Sequence, residues 1–201
     1  MPFRLNLPNV LTLVRMPLTF AIVALMYGTW PGAATLAFGL FIAAAVTDWL
    51  DGKLARERNI VSDFGKFTDA LADKVLVLGV LIGMLDLDYL RLPGVFVMLL
   101  VLVVVTREFM ISGLRMMAAS RGVVMAAERG GKIKTIIQLT ALGFLLAEPI
   151  FARDLPRVCP RPLGGATEVI HWTGLVLFGV SMWFMLSSMW SYYRKYRHVL
   201  F

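Results

Sequence analysis

Charge is in short supply in this chain of 201 residues. Asp, Glu, Lys and Arg make up 16% of it and 59% is hydrophobic, against about 25% charged in ordinary globular domains. The mean hydropathy is +0.76. So little charge cannot coat a soluble core, which excludes a soluble globular enzyme, a disordered tail and a large catalytic domain outside a membrane. Cysteine is reduced to Cys159, so no internal disulfide forms and a disulfide framework is excluded. Histidine is limited to His171 and His198, and neither is needed by the chemistry below. Also missing are an internal repeat, a low-complexity tract and a small-x-small cleavage site after a short apolar N-terminal run. One membrane domain over residues 1–201 is the expectation.

Long apolar runs are what the chain has in plenty. Six emerge, over approximately 10–29, 34–55, 66–85, 92–112, 132–150 and 170–191. Each is near the roughly 20 residues that a helix needs to cross about 30 Å of hydrocarbon. Lipid cannot satisfy open backbone groups, so the spans must be helical. The expected fold is all-α, a polytopic membrane protein with six transmembrane helices. The opening MPFRLNLP is too short to span and suits a short interfacial helix. The stretch 151–168 reads as a joining segment.

The formal net charge of +7 would admit nucleic acid on composition alone. Here the cations sit in patches between apolar runs, so membrane phospholipids, and no nucleic acid, are the expected contacts. Sixteen of the twenty Lys and Arg fall on the face that holds both termini, the 53–66 turn and the 113–134 connection. The positive-inside bias puts that face in the cytoplasm, with a bacterial inner membrane as the expected location. Trp190, Tyr192, Tyr193 and Tyr196 suit an aromatic belt at the last exit.

Four carboxylates carry the functional signal. Asp48 and Asp51 are three apart and Asp69 and Asp73 four apart, so each pair shares a helical face. A turn near residue 60 makes the two helices antiparallel neighbours and brings the pairs to similar depth, able to point into one cavity. Four anions beside lipid repel one another and resist desolvation unless a cation holds them. Oxygen donors favour Mg2+ or Mn2+, and the spacing admits two ions about 3.5–4 Å apart. A solvated loop would account for Asp63 and Glu57, but not for Asp69 and Asp73 at the start of an apolar run. Gly52 and Gly65 either relieve helix crowding or let phosphate approach the backbone. Arg15, inside the first run, reads as a polar cavity contact.

The spacing D-x2-D-G-x2-A-R-x8-G-x3-D-x3-D, realised from Asp48 through Asp73, resembles the signature of the CDP-alcohol phosphatidyltransferases at all eight fixed positions. Asn9-Val-Leu-Thr12-x-x-Arg15, Thr106-Arg107-Glu108 and Gly131-Lys-Ile-Lys134-Thr135 resemble the phosphatidylglycerophosphate synthase branch. The resemblance implies a six-helix enzyme, commonly a homodimer, whose site opens to the cytoplasm. It implies Asp48, Asp51 and Asp69 as metal ligands, Asp73 as ligand and general base, and Gly52, Arg56 and Ser62 as contacts of the CDP portion. Thr12 and Arg15 are carried over with the first of the branch blocks as substrate-binding residues. The implied reaction joins CDP-diacylglycerol and glycerol 3-phosphate into phosphatidylglycerol phosphate and CMP.

That acceptor is an anion, and Arg107, Lys132 and Lys134 lie at helix ends where they either hold its phosphate or serve the positive-inside surface. Glu108 reads as their neutralising neighbour, without direct chemistry. Arg115, Arg121 and Arg129 read as topology or headgroup contacts. A near rival is another CDP-alcohol transferase that uses inositol phosphate, serine or a lipid acceptor. A rival of another class is a divalent-cation transporter, which would need acids near the midplane and access from both faces. Here the acids gather toward one face beside Gly52, Gly65 and Arg56.

Overall fold

A computed structural model describes residues 7–57, 63–120, 129–158 and 164–200. The chain runs through α1 (Leu7–Met26), α2 (Ala33–Glu57), α3 (Asp63–Asp86), α4 (Gly94–Ser120) and α5 (Arg129–Pro149). A π-helical turn (Ile150–Asp154), α6 (Leu155–Val158) and α7 (Gly164–Leu200) complete it. The interfacial helix expected over MPFRLNLP lies outside the described residues except for Leu7 and Pro8, which open α1. Among the described residues, Gly94–Ala118, Ile133–Arg157 and Gly165–Lys195 are long and apolar enough to cross a bilayer, and Thr12–Met26 and Ala33–Asp48 form shorter apolar stretches. The protein is an all-α polytopic membrane protein.

Each long helix buries one stripe and turns apolar side chains outward. On α1 the stripe is Thr12, Arg15, Thr19, Ile22 and Met26, alternating steps of three and four. On α7 the seven-residue spacing is stricter. Thr167, Ser181 and Ser188 share one buried row with Gly174, and His171, Phe178, Met185 and Tyr192 form the row beside it. Outward stand Phe20, Val95, Phe96, Leu99, Phe109 and Trp183, a surface that suits hydrocarbon and not water. The 37 residues of α7 rise about 55 Å, so the helix outruns the hydrocarbon and takes Arg194 and Lys195 with it.

The most extensive helix pair is α5 with α7, followed by α1 with α2 and with α3. Helix α1 lies against both α2 and α3, and the turn between those two helices lies outside the described residues. Small residues bring α1 in close: a Cβ at Gly79 of α3 would stand 2.9 Å from Thr19 Cγ2. The stretch after Pro149 differs from the joining segment expected there, since helical structure continues to Val158. The π turn aims buried Asp154 at the start of α2, where Thr35 donates to its Oδ2 from the backbone N at 2.9 Å and from Oγ1 at 2.8 Å. The first turn of α2 has no acid of its own, so this carboxylate from another element caps it.

At the same end, Arg91 joins three elements. Its guanidinium binds Glu148 of α5 and, at 2.7 Å, Glu168 of α7. Those contacts hold its backbone at φ 49°, a region non-glycine residues rarely adopt. His171 Nδ1 lies 3.4 Å from the other oxygen of Glu148. Burial raises the Tyr89 phenol above its ordinary range, so it stays neutral beside Arg153.

The α5–α7 seam depends on Gly174, where an added Cβ would sit 2.9 Å from Leu145 Cγ and 3.1 Å from Phe144 Cβ. Gly174→Val should lower unfolding stability in detergent by about 1–3 kcal/mol through overpacking. Gly179→Val, on the same helix with nothing within 4 Å, should lose much less. Equal losses for the two variants would exclude close packing at the seam.

Candidate active site

At the other end of the helices the buried stripes turn polar. Arg15 of α1 has only 1% of its side chain exposed, and its Nη1 binds Asp48 Oδ1 of α2. Asp48 keeps 32% of its side chain accessible, so it is a carboxylate at the mouth of the bundle, paired on one flank. Asp73 of α3 is half-buried and lies within electrostatic reach of Asp48, Lys134 and Glu108. Thr12, one turn before Arg15, is buried on the same stripe.

A second polar centre joins α4, α5 and α7. Arg107 Nη1 donates to Glu108 Oε1 at 2.9 Å, and Lys134 Nζ from α5 donates to that same oxygen. Arg107 Nη2 reaches Ser188 Oγ of α7 at 3.4 Å. One turn beyond Lys134, Gln138 is buried with Nε2 unpartnered, and Arg107 Nε has no partner either. Asp73 lies within electrostatic reach of both members of the Lys134–Glu108 pair, so the two centres are neighbours.

Of the residues singled out by the sequence, the structure brings together Asp48, Asp73, Arg15, Arg107 and Lys134. Asp51, Gly52 and Arg56 continue α2 beyond Asp48, Asp69 precedes Asp73 on α3, and Lys132 precedes Lys134 on α5. The side chains of Asp51, Arg56, Asp69 and Lys132 lie outside the described residues, as does Ser62 altogether. Among the described residues no three His, Cys, Asp or Glu side chains gather as a metal site. The donors that are described, Asp48 and Asp73, suit a hard divalent cation, being two carboxylates close enough to repel.

Tyr192 departs from the aromatic belt expected of it. It is buried, receives a hydrogen bond from Arg115 Nη2 at 3.0 Å, and lies under that guanidinium at 5.6 Å. Arg115 is itself exposed and covers the Tyr192 ring from the outside. Trp190 and Tyr193 do face outward, stacked at 6.0 Å. Ser188 and Gln138 went unnoticed in the sequence. The signal for Ser188 was there, since Gly174, Ser181 and Ser188 recur every seventh residue in an otherwise greasy helix.

A sequence model of the CDP-alcohol phosphatidyltransferases matches residues 5–188. The chain is 37% identical over 199 residues to a CDP-diacylglycerol–glycerol-3-phosphate 3-phosphatidyltransferase of Bacillus subtilis, covering 92% of this chain and 96% of the relative. It is 39% identical over 142 residues to the Rickettsia typhi protein of the same name, covering 70% and 76%. It is also 34% identical over 207 residues to a CMP-forming cardiolipin synthase of rice, covering 99% of this chain and 60% of that protein.

The Arg15–Asp48 pair can be tested by stability alone. Breaking a fully buried pair costs about 3–5 kcal/mol. With Asp48 partly exposed, Arg15→Met should cost about 1–2 kcal/mol in unfolding assays. Adding Asp48→Asn should recover part of that loss, because no charge is then left unpaired. Strictly additive losses would mean that the two side chains do not interact.

Proposed function

The chain belongs to the CDP-alcohol phosphatidyltransferase family, and from that membership we propose that it transfers the phosphatidyl group of CDP-diacylglycerol to glycerol 3-phosphate. It is a phosphatidyltransferase acting on CDP-diacylglycerol; the products are phosphatidylglycerol phosphate and CMP. The observation that carries the acceptor is the pairing of two buried cations, Arg107 and Lys134, with Lys134 in reach of Asp73. A neutral alcohol has no use for such charge, whereas a phosphate-bearing one does.

In this reading Asp48, Asp51, Asp69 and Asp73 would hold Mg2+ or Mn2+, two ions per site, which would supply positive charge to offset the pyrophosphate and the departing CMP. Gly52, Arg56 and Ser62 contact the CDP portion, and Thr12 and Arg15 line the substrate side of α1. Arg107, Lys132 and Lys134 take the acceptor phosphate. The acceptor hydroxyl attacks the β-phosphorus and gives its proton to the Asp73 carboxylate. The new P–O bond forms as the bond from that phosphorus to the bridging oxygen breaks, and CMP leaves with the bridging oxygen. A carboxylate is a modest base, so holding both substrates in line supplies much of the acceleration.

Six described helices have 20 residues or more. This supports six crossings, with both termini and the site in the cytoplasm as the distribution of cations favours. A homodimer follows from the family resemblance.

Purified protein supplied with CDP-diacylglycerol and Mg2+ should release CMP and form phosphatidylglycerol phosphate with glycerol 3-phosphate, and little product with serine, inositol phosphate or phosphatidylglycerol. Preferred use of phosphatidylglycerol would shift the assignment toward the reaction for which the rice relative is named. Asp73→Asn should fold and yet lose about 10²-fold or more in single-turnover rate at saturating substrates. Metal content must be measured alongside, and near-normal chemistry from the loaded variant would remove the base role.

A further inference from the structure

Glu108 is the only acid on α4, and one of its oxygens serves two cations from different helices. Sharing a single acceptor atom keeps the Arg107 guanidinium and the Lys134 ammonium within roughly 6 Å of each other. Two oxygens of one phosphate group can bridge that separation with charge-assisted bonds of about 2.8 Å. Without an anion between them the two cations, both on flexible stems, would repel each other and part. Ser188 steadies the arginine from the α7 side.

Two buried donors remain unused beside this cluster. Arg107 Nε has no partner, and neither has Gln138 Nε2, which follows Lys134 by one turn on the same face of α5. Buried donors are nearly always satisfied in folded proteins. A phosphate, acceptor-only and rich in lone pairs, is the kind of group that would satisfy them. Resting on the reading of glycerol 3-phosphate as acceptor, we propose that Glu108 is a positioning residue that spaces Arg107 and Lys134 to close on a single phosphate group, without itself touching the reacting atoms. The carboxylate acts through the cations, so its effect appears in acceptor capture and not in the chemical step.

The test is steady-state kinetics of the full chain in lipid nanodiscs. Glu108→Gln should raise KM for glycerol 3-phosphate about tenfold or more, leaving KM for CDP-diacylglycerol within about twofold and kcat at saturation within about threefold. Glu108→Asp restores the charge one methylene short and should fall between wild type and Glu108→Gln. In a Lys134→Met background, Glu108→Gln should add less than about threefold, because the pair it spaces is already broken. An unchanged or lowered acceptor KM in Glu108→Gln overturns the proposal, as does full additivity with Lys134→Met. A joint fall of kcat and both affinities marks a structural role and overturns it too. If Glu108→Gln does not fold, the Asp variant and the Lys134→Met background decide. A wild-type protein that makes no phosphatidylglycerol phosphate would instead refute the acceptor assignment, which is read separately from the variants.

Discussion

The cost of leaving a charge unpaired in a low-dielectric interior organises this molecule. A charged side chain at the centre of a membrane helix costs about 2.5–3.5 kcal/mol even on permissive scales, as much as burying a whole leucine gains in water. Between helices in lipid that apolar gain largely vanishes, because the lipid is as greasy as the partner helix. Polar pairings therefore carry unusual weight in deciding which helices meet. Arg15 with Asp48 ties α1 to α2, Glu108 with Lys134 ties α4 to α5, and Arg91 with Glu148 and Glu168 ties the α3–α4 turn to α5 and α7. The middle of the bundle, with Phe41, Leu81, Leu142 and Leu145, is left to shape and small residues.

The same constraint separates two kinds of polar cluster. Around Arg91, one guanidinium is shared by two carboxylates from different helices and the group serves as a lock on the fold. Around Asp73 the sums are left open: Asp48 and Asp73 repel, and donors of Arg107 and Gln138 go unused. The two carboxylates on one flank suit a divalent cation, and the unused donors on the other suit a phosphate. A phosphatidyltransferase needs both within reach of one hydroxyl, at a depth where a lipid headgroup arrives from the bilayer and a soluble acceptor arrives from water.

Much of this was legible in the sequence where the signal is local. Asp48 and Asp73 stood out because acids at helical spacing inside apolar runs have no inexpensive structural reading. Lys134 stood out because cations cluster at helix ends; Arg107 was expected at one too, but α4 continues to Ser120 and leaves it near the middle of the helix. The packing of α1 on both α2 and α3 was not legible, since a hydropathy window reports how greasy a segment is and not which neighbour it takes. The helical course of 150–158 was hidden by Pro149 and by charges that suggested a loop. One of those charges, Asp154, is bound by Thr35, a partner 119 positions away. Tyr192 was assigned to the interface because tyrosine is common there. Instead it turns inward, with its hydroxyl accepting from Arg115, on a helix distant in sequence.

Helix α4 shows how closely support and function are joined here. It packs on α3 and α7 and leaves much of its surface, including Val95, Leu99, Leu102 and Phe109, to the bilayer. Its ties to the rest at the site end are polar: Arg107 to Ser188, Glu108 to Lys134 and Arg115 to Tyr192. Each tie helps to keep the helix in register. The register in turn fixes where the guanidinium of Arg107 stands relative to Asp73. A lipid-exposed helix can thus place a buried cation accurately without a large apolar contact, through polar ties to its neighbours.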